Sequence, residues 1–268
     1  MAAIDLAVRW RRRADLRKRA LVTFALLYAA ACGAPTWAQP SRATVPGVTL
    51  GDAPSAPTAV APQRGLASVS GFPITGISIN TQDREAVRVF YRGLYSKSDG
   101  VPSNWTGHYG TGIAGSQDAG TTSAAFQDAT ELRINWFRAL AGVPANVRLD
   151  ATYSAKDQDA ALMMSANNQL SHFPQTNWIY YTAQGAEAAG QSNIALGAHG
   201  PQAVSDYMID SGSNNSAVGH RRWLLYPQTL HMGTGDVPGG AFLGGTALPA
   251  TLPVALTSAF AEDPGKRV

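Results

Sequence analysis

Asn215-Ser216-Ala217-Val218-Gly219-His220-Arg221-Arg222-Trp223-Leu224-Leu225-Tyr226-Pro227 concentrates more chemistry than any other stretch of the chain: a glycine delivers a histidine and two arginines into an apolar run. Read with a period of two, His220, Arg222, Leu224 and Tyr226 share one face of a strand, and Arg221, Trp223 and Leu225 the other. Neither face is purely apolar. A strand that starts polar and turns apolar within three residues fits half in a core and half in the floor of a cleft. A plain core strand with a polar end is written in the same letters. The two readings part on whether side chains elsewhere in the chain answer to His220.

The chain around this stretch is long enough for a core. With 268 residues, 45% hydrophobic and 15% charged, it predicts one domain plus extensions. The net charge of +3 is misleading, because residues 1–38 hold seven basic and two acidic residues, which leaves residues 39–268 at −2. Nothing in that body points to nucleic acid or to an anionic membrane.

The basic cluster belongs to a leader. Basic residues run to Arg19, an apolar core follows from Ala20 to Ala31, and Thr36-Trp37-Ala38 precedes Gln39, which reads as a secretory signal over 1–38. The apolar core is too short to span a bilayer comfortably. Ala29-Ala30-Ala31-Cys32 lacks the leucine usual three residues before a lipidated cysteine, which leaves lipid attachment at Cys32 as the lesser alternative. Cleavage after Ala38 removes Cys32, the one cysteine, so the mature fold rests on packing without disulfides. The expected location is secreted, periplasmic or cell-envelope. Asn104-Trp105-Thr106 and Asn214-Asn215-Ser216 are glycosylation sequons only in a host that glycosylates them.

Residues 39–75 form a Pro/Ala-rich linker, with prolines at 40, 46, 54, 57 and 62. Helical spacing begins with Ala86, Val87, Phe90, Tyr91 and Leu94, and a Gly/Ser/Thr/Asp-rich loop carrying Trp105 follows over 101–122. Gly110-Thr111-Gly112-Ile113-Ala114-Gly115 has the letters of a dinucleotide fingerprint, but no strand precedes it and no amphipathic helix opens from it. A second helix, capped by Asp128 or Thr130, places Leu132, Trp136, Phe137 and Leu140 on one face, with Arg133, Asn135 and Arg138 pointing elsewhere. A third follows Asp150, carries Met163 and Met164 as core filler, and runs on to Leu170-Ser171-His172. That places His172 at a helix C-terminus. Glu187 is an isolated carboxylate in an Ala/Gly-rich connection, and Pro201 opens a helix with Val204, Tyr207 and Met208 on one face and Asp210 just beyond.

His172, Glu187, Asp210 and His220 thus sit at element edges or in loops, where side chains can converge on a cleft. His108, His199 and His231 lie among glycines or beside Met232-Gly233 and suggest less. There is no His-Glu-x-x-His, no Cys-x-x-Cys and no Gly-x-Ser-x-Gly elbow.

The ordered set Leu170-Ser171-His172, Gly190-Gln191-Ser192-Asn193-Ile194-Ala195, Ala203-Val204 to Asp210, Gly219-His220 and Met232-Gly233-Thr234-Gly235 resembles the CAP superfamily in its bacterial, cysteine-free form, over roughly Leu132 to Val237. That superfamily groups cysteine-rich secretory, antigen-five and pathogenesis-related class one proteins. The resemblance implies an α+β fold, an α-β-α sandwich with a central antiparallel sheet between helix layers. It implies a CAP-like domain over 76–237, with an N-terminal helical extension to about 129 and a low-complexity tail over 238–268. It also implies a cleft of two histidines and two acids. His172 and His220 match the histidines, and Asp210 stands where the family has an acid. The family's Gly-Glu-Asn-Ile-Ala becomes Gly190-Gln191-Ser192-Asn193-Ile194-Ala195, so the fourth position falls to Glu187, or to Ser192 without a charge. Arg222, on the face of His220, is expected near the acids. The family would add a further core strand after Val237, but Pro249 and Pro253 demote the one candidate, Leu252 to Leu256.

Three functions fit these residues. The first is a secreted module that binds a small ligand, lipid or peptide in the cleft of His172, Glu187, Asp210, His220 and Arg222. The second is a hydrolase in which His172, His220, Glu187 and Asp210 hold a divalent cation such as zinc and a water. The third is a structural or cell-envelope interaction protein, in which the histidines and acids only tie helices to the sheet.

Overall fold

The computed structural model describes residues 47–52, 76–239, 242–243, 246–247 and 254–258. The leader over 1–38, Cys32 and most of the linker lie outside them.

Side-chain caps fix where the helices begin. Asp83 accepts from the amides of Glu85 and Ala86 and starts α1 (Arg84–Phe90), whose chain continues as a π-helical turn to Tyr95. Ser123 caps α2 (Ala124–Leu140), which therefore starts earlier than Asp128 or Thr130 would allow. Thr130 sits mid-helix instead, its hydroxyl bonded back to the Phe126 carbonyl at 2.9 Å. After β2 (Arg148–Leu149), Asp150 caps α3 (Ala151–Asn167) through the amides of Thr152 and Tyr153. Asn168, at φ 46°, ends α3 in the left-handed conformation, so His172 lies five residues beyond the helix rather than at its C-terminus. Thr182 caps the short α4 (Ala183–Ala189), which puts Glu187 on a helix instead of in a loop. Pro201 opens α5 (Gly200–Ile209) as expected, and Asp210 ends it at φ 52°.

The quoted stretch is a helix, α6 (Gly219–Leu224), and not a strand. Its buried residues, Gly219, His220, Trp223 and Leu224, have the helical i, i+3, i+4 spacing. Reading it with a period of two therefore placed Arg222 on the wrong side. Two positions along a helix turn a side chain through about 200°, and Arg222 is exposed while His220 is fully buried.

Five strands form the sheet in the order β1 (Thr49–Leu50), β3 (Ser192–Leu196), β7 (Val254–Ser258), β4 (His231–Val237), β2. All neighbours run antiparallel except β2 with β4, a two-residue parallel pair. A separate hairpin pairs β5 (Phe242–Leu243) with β6 (Thr246–Ala247). The tail strand that the prolines demoted is the central one: β7 has a partner along its whole length on both sides, with Ile194 opposite Leu256 and Gly235 opposite the same residue. Pro253 precedes its first residue, where a missing N–H costs the ladder nothing.

Alternation along the strands sorts side chains into two cores. Ile194, Val254 and Leu256 pack with Met163, Met164 and Ala188 of α3 and α4. Ala195 and Ala255 face Ile134, Val204, Tyr207 and Leu224 of α2, α5 and α6. The fold is an α+β sandwich with helices on both sheet faces, as expected. A third cluster, Phe90, Trp136, Ala139 and Ala145, fastens the N-terminal extension to α2.

Two arginines of α2 expected to point away from the core are fully buried. Arg133 stacks its guanidinium 3.6 Å over the Tyr95 ring, donates to Ser98 and Ser205, and pairs with Asp99. Arg138 donates to the carbonyls of Pro144, Leu224, Tyr226 and Thr229, and burial lowers its pKa to about 10. Among the described residues no helix is long and apolar enough to cross a membrane.

Candidate functional site

The left-handed turns at Asp210 and Val218 fold the end of α5 back on the start of α6 and bring Asp210 and His220 together. His220 donates from Nδ1 to Asp210 Oδ1 at 2.8 Å, and both side chains are fully buried. The other carboxylate oxygen accepts from the Arg221 amide at 3.3 Å. Because Nδ1–H donates to the carboxylate, Nε2 is left as the free position of the ring. That nitrogen is buried and has no hydrogen-bond partner among the described residues.

The ring stacks on Tyr207, with centroids 5.7 Å apart and planes 12° apart. Tyr207 in turn points its hydroxyl at the carbonyls of Asn193 and Ala255, both at 3.1 Å, which ties the pair to β3 and β7. Asn193 Nδ2 donates to the His220 carbonyl at 3.1 Å, and its own Oδ1 is buried without a partner among the described residues. Asp210 and His220 are thereby held by one helix junction and two central strands.

The remaining predicted residues lie around this pair without joining it. His172 is half-buried, with Nδ1 on the Ala189 carbonyl at 2.6 Å and Nε2 on the Asp52 carbonyl. It thus bridges the end of α4 and the segment after β1. Glu187 is exposed and pairs with Lys156 of α3 at 2.8 Å. Ser192 is buried and donates to the Ala188 carbonyl at 2.7 Å and to Asp157 at 3.1 Å. Arg222 is exposed, and it is Arg221 that approaches the acid: its amide meets Asp210, and its guanidinium donates to the carbonyls of Met208 and Ile209.

As placed, these side chains do not fit a divalent cation. Asp210 and His220 pair with each other, His172 bonds two main-chain carbonyls and Glu187 pairs with Lys156, so the four side chains are not gathered around one point. Among the described residues no three His, Cys, Asp or Glu side chains lie close enough to hold a metal.

The sequence profile of the cysteine-rich secretory protein family, CAP, matches residues 132–245. This segment is a CAP domain. Comparison with curated proteins and with solved structures gives no match. Asp210 and His220 both fall inside the CAP domain, as do Tyr207 and Asn193, two contributors to the site that are not among its predicted side chains. Tyr207 was legible only as an apolar-face residue of α5. Nothing in the sequence distinguishes its hydroxyl, which becomes informative once two strands supply carbonyls to it.

A second polar network lies under the CAP sheet. Asp236 of β4 accepts from the Gly200 amide at 2.6 Å and from the Thr234 hydroxyl at 2.9 Å, so a strand side chain caps α5. Complete burial pushes its pKa up to about 6, and those two hydrogen bonds only partly oppose the rise. Tyr207 is raised well above the usual phenol value by burial first and then by the charges of Asp236, Asp157 and Asp206.

Proposed function

We propose that this chain is an exported CAP-domain protein that acts as a binding module for a small ligand, lipid or peptide. One observation carries the reading: the two side chains best suited to acid-base chemistry, Asp210 and His220, are fully buried and bonded to each other. A general base has to reach the proton it removes, whereas a sealed carboxylate-imidazole pair locks a helix junction to a sheet. What remains for the outer surface is recognition. His172, half-buried between the end of α4 and the segment after β1, is the histidine that a ligand at the surface would meet.

Export is supported by the basic and apolar pattern of residues 1–38 and by the CAP assignment itself. The test is calorimetric titration of the mature chain with fatty-acid vesicles and with short peptides, beside an assay of ester and peptide hydrolysis. Saturable binding without turnover, weakened in His172→Ala, supports the module. Turnover that disappears in His220→Gln replaces it with the hydrolase.

A further inference from the structure

A cavity of about 370 Å³ opens between the Gln117–Gly120 turn and helix α3, and shares no residue with the Asp210–His220 pair. Its lining includes Ala155, Asp159 and Leu162, which follow one stripe of α3, together with Asp118, Tyr180 and Thr182. The Gln117–Gly120 wall lies outside the stretch matched by the CAP profile, so the cavity is built by joining the N-terminal loop to the CAP domain.

The wall is fixed in advance of any ligand. His108 and Asp118 pair as an isolated β-bridge, with N–H to O distances of 2.8 and 3.0 Å. The Trp105 indole donates to the Ala119 carbonyl at 2.7 Å, and the Tyr180 hydroxyl bonds the Tyr109 carbonyl and the Gly112 amide. Gly120, at φ 59°, leaves no room for a Cβ against Gly107. Tyr180 itself sits at φ 60°, an uncommon conformation for an aromatic residue, kept by these bonds. A wall so tied does not have to be ordered by its ligand.

The charges in the cavity are one-sided. Among the described residues Asp159 accepts only from the Thr182 hydroxyl, at 3.3 Å, and Asp118 accepts from the Gly120 amide at 2.9 Å. Among the described residues no basic side chain pairs with either carboxylate. Partial burial raises the Asp159 pKa, so a cation beside it would restore the ionised form.

We propose that this cavity binds a small organic ammonium compound. A bare metal ion is a poorer match, because the described residues offer no third acid or histidine there and hard cations take six or more oxygen ligands in a compact shell. The cavity has the size of a small-molecule site, whose usual range starts at about 300 Å³. Ammonium brings three donors to a site that is short of them. Leu162 supplies an apolar wall for the carbon chain.

The experiment titrates the full chain at pH 7 with 1,4-diaminobutane and, separately, with the uncharged 1,4-butanediol, by calorimetry. The variants are Asp159→Asn, Asp118→Asn and Ala155→Trp. Each Asn keeps an acceptor oxygen, so the Thr182 and Gly120 bonds survive, and the thermal midpoint of Asp159→Asn should equal or exceed that of the parent. The tryptophan fills the cavity from an exposed position. The expected result is saturable diamine binding that weakens with salt, roughly tenfold loss in either Asn variant, loss in Ala155→Trp, and no binding of the diol. No diamine binding up to about 10 mM, or binding equal in parent and all three variants, overturns the proposal. Because neither His220 nor Asp210 takes part, either outcome leaves the test of the binding-module reading separate.

Discussion

Asp236 is fully buried with its pKa raised to about 6 against an ordinary 3.8. The folded chain therefore holds a proton that the unfolded chain releases as pH rises from 4 to 6. By linkage the contribution of this group is fully present below pH 4 and is lost as pH climbs through 6, an effect on the order of 3 kcal/mol for a shift of about two units. Asp236→Asn keeps an oxygen for the Gly200 amide and turns its NH2 to Thr234, whose hydroxyl can donate instead toward the Leu256 carbonyl. Urea denaturation between pH 4 and 7 should show the variant gaining stability over the parent as pH rises; parallel curves would refute the raised pKa. At Asp210 the cost of substitution runs through hydrogen bonds. Asp210→Ala strips His220 Nδ1 and the Arg221 amide of their acceptor and puts a β-carbon without polar compensation at φ 52°. It should cost about 3 kcal/mol. Asn tolerates the left-handed conformation and keeps an acceptor, so Asp210→Asn should cost about 1 kcal/mol in the same urea assay.

At the scale of elements, the contact that sets the sandwich is α3 against β4. Gly233 and Gly235 leave that strand bare, and a Cβ at Gly235 would overlap the Asp157 main chain and the Gln158 nitrogen. Backbone cannot swing aside as a flexible side chain can. Gly235→Ala should therefore lift α3 from the sheet and cost about 3 kcal/mol or more, read as a fall in the thermal midpoint together with loss of near-ultraviolet dichroism from the core aromatics. A wild-type midpoint would mean that the helix does not ride on that glycine. Elements of this kind are legible where a local signal marks them: Asp150 just before a helix, Pro201 as a first-turn residue, Met163 and Met164 as filler. Alpha-6 was not, because its six residues hold too few apolar positions to separate a period of two from one of 3.6, and Arg221 and Arg222 occupy the positions that would have decided it. Glu187 was misplaced for a related reason. Ala183–Ala189 is short and poor in apolar periodicity, and its helix is fixed by the Thr182 cap and by packing on α3. The motif comparison found the acid and the histidine of the junction, but their burial and pairing depend on Val218 and Asp210 both turning left-handed, which no composition signal announces.

For the whole molecule, the decisive pairing is also the most remote. Beta-7 lies between β3 and β4 and follows the β5–β6 hairpin in the chain, and the CAP profile match ends at residue 245, before β7 begins. Without β7 the two flanking strands have no common neighbour. Its five residues pair on both sides, and Val254, Ala255 and Leu256 contribute to both cores at 1% exposure or less. Buried strands of this kind carry the ladder hydrogen bonds of the whole sheet, and their loss exposes apolar faces on two layers at once. Deleting residues 248–268 should thus abolish the cooperative urea transition and leave a chain that aggregates or binds a hydrophobic dye. Ala255→Pro, at full length, should do the same, because it removes an N–H and forces a ring into a site with no free space. The control is Arg133→Met, which loosens only the clamp on Tyr95, Ser98 and Asp99. It should lower the midpoint while keeping a single cooperative transition. A truncated chain that still unfolds cooperatively at the parent's midpoint would remove β7 from the centre of the sheet, and with it the two-core arrangement that seals Asp210 and His220.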